Sequence, residues 1–240
     1  MSNKFRILNF KNFDYQKLDF YQPEKTKDKQ LLTTVSYRLT QQIQIPVYIE
    51  TPRIKTASSI YKEGDDYYIN LELDISNNNS HFFDFITKFD EINIKNCHNN
   101  SGSWFNKLIP LEKIEEFYKS PIKIIPSKNP ILKLKIPQIN NKLILEVYNQ
   151  SKKQININLL EDEDDIIGIL RYAGLRFSNQ EFKAEWEIYK VKLLKVIDEE
   201  PIPNGYLFSD MNEPEPTPAL EPEPEPELTP APTPAPTPAP

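Results

Sequence analysis

Cations and aromatic side chains alternate within residues 171–192. The stretch contains Arg171, Tyr172, Arg176, Phe177, Phe182, Trp186, Tyr189, Lys190 and Lys192. Single-stranded nucleic acid needs both residue types. Cations neutralise phosphates and give a salt-dependent affinity, whereas flat rings stack on unpaired bases at roughly 1–3 kcal/mol each. The stretch is therefore a candidate binding surface.

The period of a strand divides these side chains between two faces. Trp186 and Lys190 have one parity and Tyr189 has the other. Both faces cannot be core. A tryptophan here is more often core than a binding platform, so Arg171, Arg176 and Tyr189 are the better surface candidates.

Residues 119–142 form a second candidate surface, because they hold six lysines and no acidic residue. The lysines are Lys119, Lys123, Lys128, Lys133, Lys135 and Lys142. Lys133 and Lys135 occupy alternate positions of Ile-Leu-Lys-Leu-Lys-Ile, so a strand projects both from one face. From the lysines alone, an ordinary solvated strand face is the favoured interpretation.

No motif identifies an enzyme. The chain has no Walker-type loop, no Gly-x-Gly-x-x-Gly and no Gly-x-Ser-x-Gly. Cys97 is interpreted as a loop thiol, and a zinc site that used it with His81 or His98 would still need carboxylates. On a strand, Cys97 and His98 would point to opposite faces, which disfavours a nucleophile–base pair. We predict no catalytic residue, no cofactor and no metal, and an enzyme built on convergent carboxylates stays an alternative.

Charge is segregated along the chain. Residues 210–240 hold seven acids and no Lys or Arg; the acids are Asp210, Glu213, Glu215, Glu221, Glu223, Glu225 and Glu227. The other 209 residues carry 29 basic and 28 acidic side chains, a net of +1. Alternate prolines favour extended polyproline II and leave nothing apolar to bury. We predict a partly ordered arm over 1–30, one domain over 31–208, and a disordered acidic, proline-rich tail over 209–240.

Apolar periodicity predicts a mainly β domain with two helices. The predicted strands are Ile43–Glu50 at an edge, Tyr67–Ile75, Lys142–Tyr148, Ile166–Tyr172 and Phe182–Val196. One helix is predicted to begin at Ser80, because apolar residues follow at helical spacing, and a second to cover Leu111–Tyr118. Ala173–Gln180 is predicted to be a turn or bulge, and the pair Trp104-Phe105 to pack in the core beside a turn.

The order of short segments resembles the phage-type single-stranded DNA-binding proteins of large nucleocytoplasmic DNA viruses. The segments are Thr51-Pro52-Arg53, Phe85-Ile86, Phe89-Asp90-Glu91, Ser103-Trp104-Phe105, Pro121-Ile122-Lys123, Leu134-Lys135-Ile136-Pro137, Val147-Tyr148, Arg171-Tyr172-Ala173-Gly174-Leu175-Arg176-Phe177, Phe182, Trp186 and Val191-Lys192-Leu193. The resemblance implies an OB-like barrel with helical insertions that binds single strands in a basic groove. It also implies an acidic C-terminal tail that competes with DNA and contacts replication proteins. Two positions depart from the family pattern: the tail ends in Thr-Pro-Ala repeats rather than an aromatic residue, and Lys183 stands where the family has glycine.

The first hypothesis is therefore a viral protein that binds single-stranded DNA without sequence specificity in replication, repair or recombination. Its predicted phosphate ligands are Lys133, Lys135, Arg171 and Arg176, its predicted stacking residues are Tyr172, Tyr189 and Trp186, and Lys190 completes the set. The near-neutral body favours an alternative, a virion-associated or structural protein that keeps the fold without DNA binding.

Partners and location complete the expectations. The sequence is compatible with a homodimer. It shows no signal-peptide core and no apolar run of the ~18–20 residues that a membrane helix needs. We expect a protein that is not secreted and has no membrane partner, in a viral factory of the host cytoplasm or in the virion.

Overall fold

The computed structural model describes residues 6–26, 30–76, 80–178 and 181–195. All of them belong to one compact unit. The predicted tail over 209–240, with its seven acids, lies outside the described residues.

The described chain is mainly β. Its strands are β1 (Ile7–Leu8), β2 (Leu18–Phe20), β3 (Glu24–Lys25), β4 (Leu31–Thr40), β5 (Ile43–Glu50), β6 (Ile54–Thr56), β7 (Tyr61–Glu63), β8 (Asp66–Glu72), β9 (Tyr118–Lys119), β10 (Ile122–Lys123), β11 (Ile131–Ile136), β12 (Gln138–Ile139), β13 (Lys142–Leu143), β14 (Glu146–Tyr148), β15 (Gln154–Ile155), β16 (Asp165–Phe177) and β17 (Phe182–Leu193). The helices are α1 (Ser80–Phe105) and α2 (Leu111–Phe117), and 3₁₀ turns cover Phe10–Asn12, Tyr15–Lys17 and Ile157–Leu159.

Five of these strands close into a barrel. The long strand β16 pairs with β17, β17 with β11, β11 with β8, β8 with β6, and β6 again with β16. The hairpin β4–β5 extends the wall, since both of its strands also pair with β16. The prediction of an OB-like barrel with helical insertions is confirmed.

Strict alternation fills the barrel and leaves its outside polar. On β11, the side chains of Leu132, Leu134 and Ile136 are fully buried, whereas Lys133 and Lys135 lie on the outer side of the wall. One buried and one solvated face is the usual state of an antiparallel wall. Positions that alternate with core residues therefore define an outer face.

Two bulges decide which side chains share that face. Ala173 of β16 has no partner on β17, because Tyr172 pairs with Trp186 and Gly174 pairs with Glu185. Without the extra residue, Arg171 and Arg176 would have opposite parity; with it, both face outward. Gly174 adopts φ +129°, and a Cβ there would lie 1.9 Å from the Thr33 carbonyl oxygen, so the bulge requires glycine.

The second bulge is Tyr189 of β17, which lies between the pairs Leu170–Ile188 and Ile169–Lys190. The parity prediction that put Trp186 and Lys190 on one face is therefore wrong. Trp186 points into the core, whereas Lys190 points outward, because the extra residue reverses the alternation.

Helix α1 closes one end of the barrel with a row of phenylalanines. Phe85 and Phe89 pack against Trp186, with ring centroids 6.4 and 5.0 Å from it. From the N-terminal segment, Phe13 and Tyr15 pack on the same phenylalanines at 5.4–5.9 Å. Part of the arm is thus packed on the body.

Several local predictions differ from the structure. Strand β4 was not predicted, and the predicted strand over 142–148 is broken into β13 and β14. Helix α1 continues through the predicted turn, so Trp104 and Phe105 form its last turn and pack on Phe177. Within the described ranges, no helix has the length and apolar character required to span a membrane.

Candidate nucleic-acid interface

A groove of about 520 Å³ runs across the outer face of the barrel, between the hairpin β7–β8 and the segment that carries β9 and β10. We call it the outer groove. Its cationic lining residues are Lys119, Lys123, Lys133, Lys135, Arg176 and Lys183, its acidic ones are Glu63, Asp66, Glu181 and Glu185, and its half-buried tyrosines are Tyr61 and Tyr68. Cations exceed acids by two, so the lining is mildly basic.

Three of these cations form a row across neighbouring strands, the cation row. Arg176 of β16 is in register with Lys183 of β17, and Lys183 is in register with Lys119 of β9. Like charges directly beside each other on a sheet are destabilising. An anion bound across the row would remove that cost.

A second row crosses six strands of the same face, the mixed row. In register order it runs Tyr61, Tyr68, Lys135, Glu187, Arg171 and Tyr48. Lys183 and Glu187 are four residues apart on β17, so the two rows lie roughly 13 Å apart at strand spacing. Cations and tyrosines thus share one surface.

The strand segment that carries Lys119 is fixed from below by a chain of hydrogen bonds. The hydroxyls of Tyr118 and Ser120 donate to the two carboxylate oxygens of Asp90 on α1, at 2.6 and 2.5 Å. The Asn93 amide donates to the Tyr118 hydroxyl at 3.2 Å, and the Tyr172 hydroxyl donates to Asn93 at 2.6 Å. Burial raises the pKa of Asp90, although these two hydroxyl donors oppose the rise. Helix α1 therefore positions the groove as well as closing the barrel.

The two arginines of the outer face, Arg176 in the groove and Arg171 beyond it, have buried carboxylate partners, and we call them the floor of the face. Arg176 binds Glu185 through two nitrogens, one of them at 2.8 Å, and the two side chains are 15% and 8% exposed. Arg171 lies 3.4 Å from Glu187 and donates to the Tyr189 hydroxyl at 3.0 Å. Burial lowers the pKa of Arg171, but Glu187 and Tyr189 outweigh it and the net direction is upward.

Lys133 and Lys135 are held by the hairpin opposite them. The Lys133 amine lies 2.8 Å from both carboxylate oxygens of Glu63 and 4.2 Å from the centre of the Tyr68 ring. The Lys135 amine lies 2.9 Å from Asp66. Both lysines reach the groove, and both already have an anion.

The rim lysines are different. Lys119, Lys123 and Lys183 are exposed and form no ion pair with any of the residues that the structure describes. The sequence placed Lys119 in the basic stretch 119–142 but predicted neither it nor Lys183 as a DNA ligand, because 64 residues separate the two lysines and only the pairing of β9 with β17 brings them together.

Two predicted stacking residues are corrected by their burial. Tyr172 is 1% and Trp186 2% exposed, and their rings pack on each other at 4.9 Å and on Phe89. No base can stack on either ring in this fold. Tyr61 and Tyr68 take their place on the groove surface, and the signal for Tyr68 was its position opposite the apolar residues of the predicted strand.

The remaining predicted residues lie beyond the groove on the same face. Tyr189 is half-buried and meets Tyr48 edge-on at 5.8 Å. Lys190 binds Glu146, and its amine lies 5.6 Å from the Tyr148 ring centre. Lys133, Lys135 and Arg176 thus converge in the groove, whereas Arg171, Tyr189 and Lys190 lie outside it on the same face.

Cys97 is buried and His98 is partly buried. Cys97 lies on α1 rather than in a loop, and burial raises the pKa of its thiol to about 12, which makes it a poor nucleophile. His98 Nδ1 lies 3.0 Å from the Ile109 carbonyl oxygen. Across the described ranges, no group of three or more His, Cys, Asp or Glu residues could hold a metal ion.

Solved structures with a similar chain path include two phage proteins. One is gp2.5, a single-stranded DNA-binding protein encoded by bacteriophage T7, with 12% identity, a TM-score of 0.46, and coverage of 66% of this chain and 97% of that one. The other is the single-stranded DNA-binding protein from bacteriophage Enc34 in complex with single-stranded DNA, with 12% identity, a TM-score of 0.42, and coverage of 74% and 96%. No curated protein matches the chain.

A family model matches residues 63–210, which is more than half of the chain. The chain belongs to that family, a family of unknown function (DUF5871). The matched region contains the whole of β8, β11, β16 and β17, and so most of the outer groove.

Proposed function

For this member of a family without an assigned function, we propose that the outer groove binds single-stranded DNA. The observation that carries the proposal is the cation row. Lys183 and Lys119 lie in register with no acid between them, and Arg176 continues the row. Lys119 and Lys183 repel each other in the free protein, since neither has an ion pair within the described residues, and a polyanion such as a phosphodiester chain would relieve that repulsion.

The tyrosines make single strands a better fit than duplex. Tyr61 and Tyr68 lie on the groove surface with their rings 6.0 Å apart. Unpaired bases can stack on such rings, and stacking tolerates every base. Phosphate contacts and stacking read no base edge, so the binding is not sequence-specific.

The direct test removes the rim lysines. In the full chain, Lys119, Lys123 and Lys183 are replaced together by Gln, and binding to fluorescent oligo-dT is measured over a range of salt. Because the slope of log K against log salt changes by about 0.7 per phosphate contact on single strands, we expect it to become shallower by about 2. The affinity for oligo-dT should fall, whereas the midpoint of unfolding should remain that of the wild type.

The matched control replaces three other exposed lysines, Lys95, Lys107 and Lys128, by Gln. None of them lines the groove. The control changes net charge equally, so an equal loss of affinity would mean that only the overall charge matters and would contradict the groove.

A second candidate is a virion-associated or structural protein that keeps the fold without binding DNA. It is favoured by the anions that occupy the other groove cations, since Glu63, Asp66 and Glu185 each hold one. Absence of any shift of single-stranded DNA at low salt, with and without residues 210–240, would select this candidate.

The proposal extends to replication, repair or recombination of viral DNA, in a viral factory or the virion. The seven acids of residues 210–240 support a tail that competes with DNA for the groove and contacts replication proteins. Deleting 210–240 should raise affinity for oligo-dT and steepen its fall with salt. Unchanged affinity would exclude the competing role of the tail.

A further inference from the structure

Two acids face each other at the tip of the hairpin β7–β8. Glu63 and Asp66 are in register, joined by a two-residue turn in which Gly64 adopts φ +62°. The Gln138 side chain donates to the Asp65 carbonyl oxygen at 2.9 Å and holds the tip in place. Two neighbouring carboxylates repel each other, and in this position they are compensated by Lys133 and Lys135.

Lys133 also covers a stacking surface. Its amine lies 4.2 Å from the centre of the Tyr68 ring and donates to both Glu63 carboxylate oxygens at 2.8 Å. A base cannot occupy the same side of the ring while the amine is there. Glu63 therefore fixes the amine in the position where it shields Tyr68.

From this arrangement we infer that Glu63 is the anion that a DNA phosphate replaces on Lys133, and that this exchange sets the affinity of the groove. The inference rests on the proposed single-stranded DNA binding. Binding moves the Lys133 amine from Glu63 to a phosphate oxygen, which uncovers the Tyr68 ring. The displaced carboxylate, 62% exposed, returns to solvent beside Asp66.

The exchange makes the groove weaker than its cations suggest. A phosphate at Lys133 replaces an existing ion pair instead of pairing a free cation, so it gains less and releases fewer counterions. The rim lysines need no such exchange. They would capture the strand first, and the Lys133 exchange would follow where a base reaches Tyr68.

The experiment is a titration of the full-length Glu63→Gln protein with fluorescent oligo-dT at several salt concentrations. A surface ion pair contributes little free energy, so the loss of the Glu63 carboxylate should raise the affinity for oligo-dT only about two- to fivefold over wild type. The salt slope should be steeper by about 0.7, because Lys133 would then pair a phosphate as a free cation.

Glu91→Gln is the matched control. Glu91 is 60% exposed and paired with Lys88 on α1, outside the groove, so its replacement makes the same change in net charge and breaks a similar pair. Equal gains for Glu63→Gln and Glu91→Gln would overturn the inference and leave the proposed function intact.

A double-mutant cycle tests whether Glu63 acts through Lys133. In a Lys133→Gln background, Glu63→Gln should give no further gain, because there is no amine left to release. The same gain in both backgrounds would also overturn the inference. Failure of wild type to bind single-stranded DNA would instead remove the proposed function on which the inference rests.

Discussion

The floor of the outer face and the rim of the outer groove both carry cations, but in opposite circumstances. On the floor, Arg171 and Arg176 are at least partly buried and pair with Glu187 and Glu185. At the rim, Lys119 and Lys183 are exposed and have no ion pair within the described residues. This difference shows that position alone does not make a cation a DNA ligand. Whether it can bind a phosphate depends on its burial and on whether an acid already pairs with it.

The largest expected effect is the loss of stability when Arg176 of the floor is replaced. Arg176→Ala leaves the carboxylate of Glu185, 8% exposed, without its partner. Removing one member of a buried ion pair costs about 3–5 kcal/mol, because the remaining charge is uncompensated. Urea denaturation should show that loss in the free energy of unfolding.

Arg53→Ala is the control for that prediction. Arg53 pairs with Asp165 at 2.7 Å, but its side chain is 69% exposed. Exposed pairs contribute only about 0–1 kcal/mol to the free energy of unfolding. If both alanine variants unfold at the wild-type urea concentration, Arg176 is not a structural residue and belongs with the rim lysines.

Tyr68 lines the outer groove and tests it by stacking. Tyr68→Leu should weaken oligo-dT binding by about 1–3 kcal/mol, the usual contribution of one stacked base. Tyr68→Phe keeps the ring and should bind as wild type does. Fluorescence anisotropy at fixed salt measures both, and equal weakening of the two variants would show that the hydroxyl, not the ring, matters.

The barrel was largely predictable from the sequence because its strands alternate cleanly. The predicted strand Ile43–Glu50 coincides with β5, and the second helix differs from α2 by one residue. Lys133 and Lys135 lie on one outer face as their spacing required. Strand β4 lies within the domain predicted over 31–208 but was missed, because one of its inward positions is Thr33 and its apolar alternation is therefore weak.

The rest of the site depends on pairing and bulges, which spacing alone does not reveal. Arg171 and Arg176 share a face only because Ala173 is an unpaired extra residue. Tyr172 fitted an aromatic–cation pattern but lies inside the barrel, because neighbouring residues of a strand point to opposite faces and Arg171 points outward. The row of Lys119 and Lys183 depends on a parallel pairing between strands 64 residues apart.

The smallest expected effect is a difference in the pH dependence of stability between two carboxylates of the outer face, the buried Glu187 and the more exposed Glu146. Burial raises the pKa of Glu187, which the Arg171 charge opposes and Glu185 reinforces. The hydrogen bond from Lys190, with one from Tyr148, lowers the pKa of Glu146. The two groups should therefore change stability with pH in opposite directions.

The direction in which stability changes with pH depends on whether the pKa is higher or lower in the folded than in the unfolded protein. A raised pKa contributes stability that is fully present below the ordinary glutamate value of about 4.3 and is lost as the pH rises through the folded pKa. Wild type should therefore lose unfolding free energy relative to Glu187→Gln between about pH 4 and neutrality. A lowered pKa contributes stability that is lost as the pH falls, so wild type should lose it relative to Glu146→Gln below about pH 4.3. Urea midpoints of the three proteins at several pH values measure both differences, and a common sign would mean that burial does not distinguish the floor from the rest of the face.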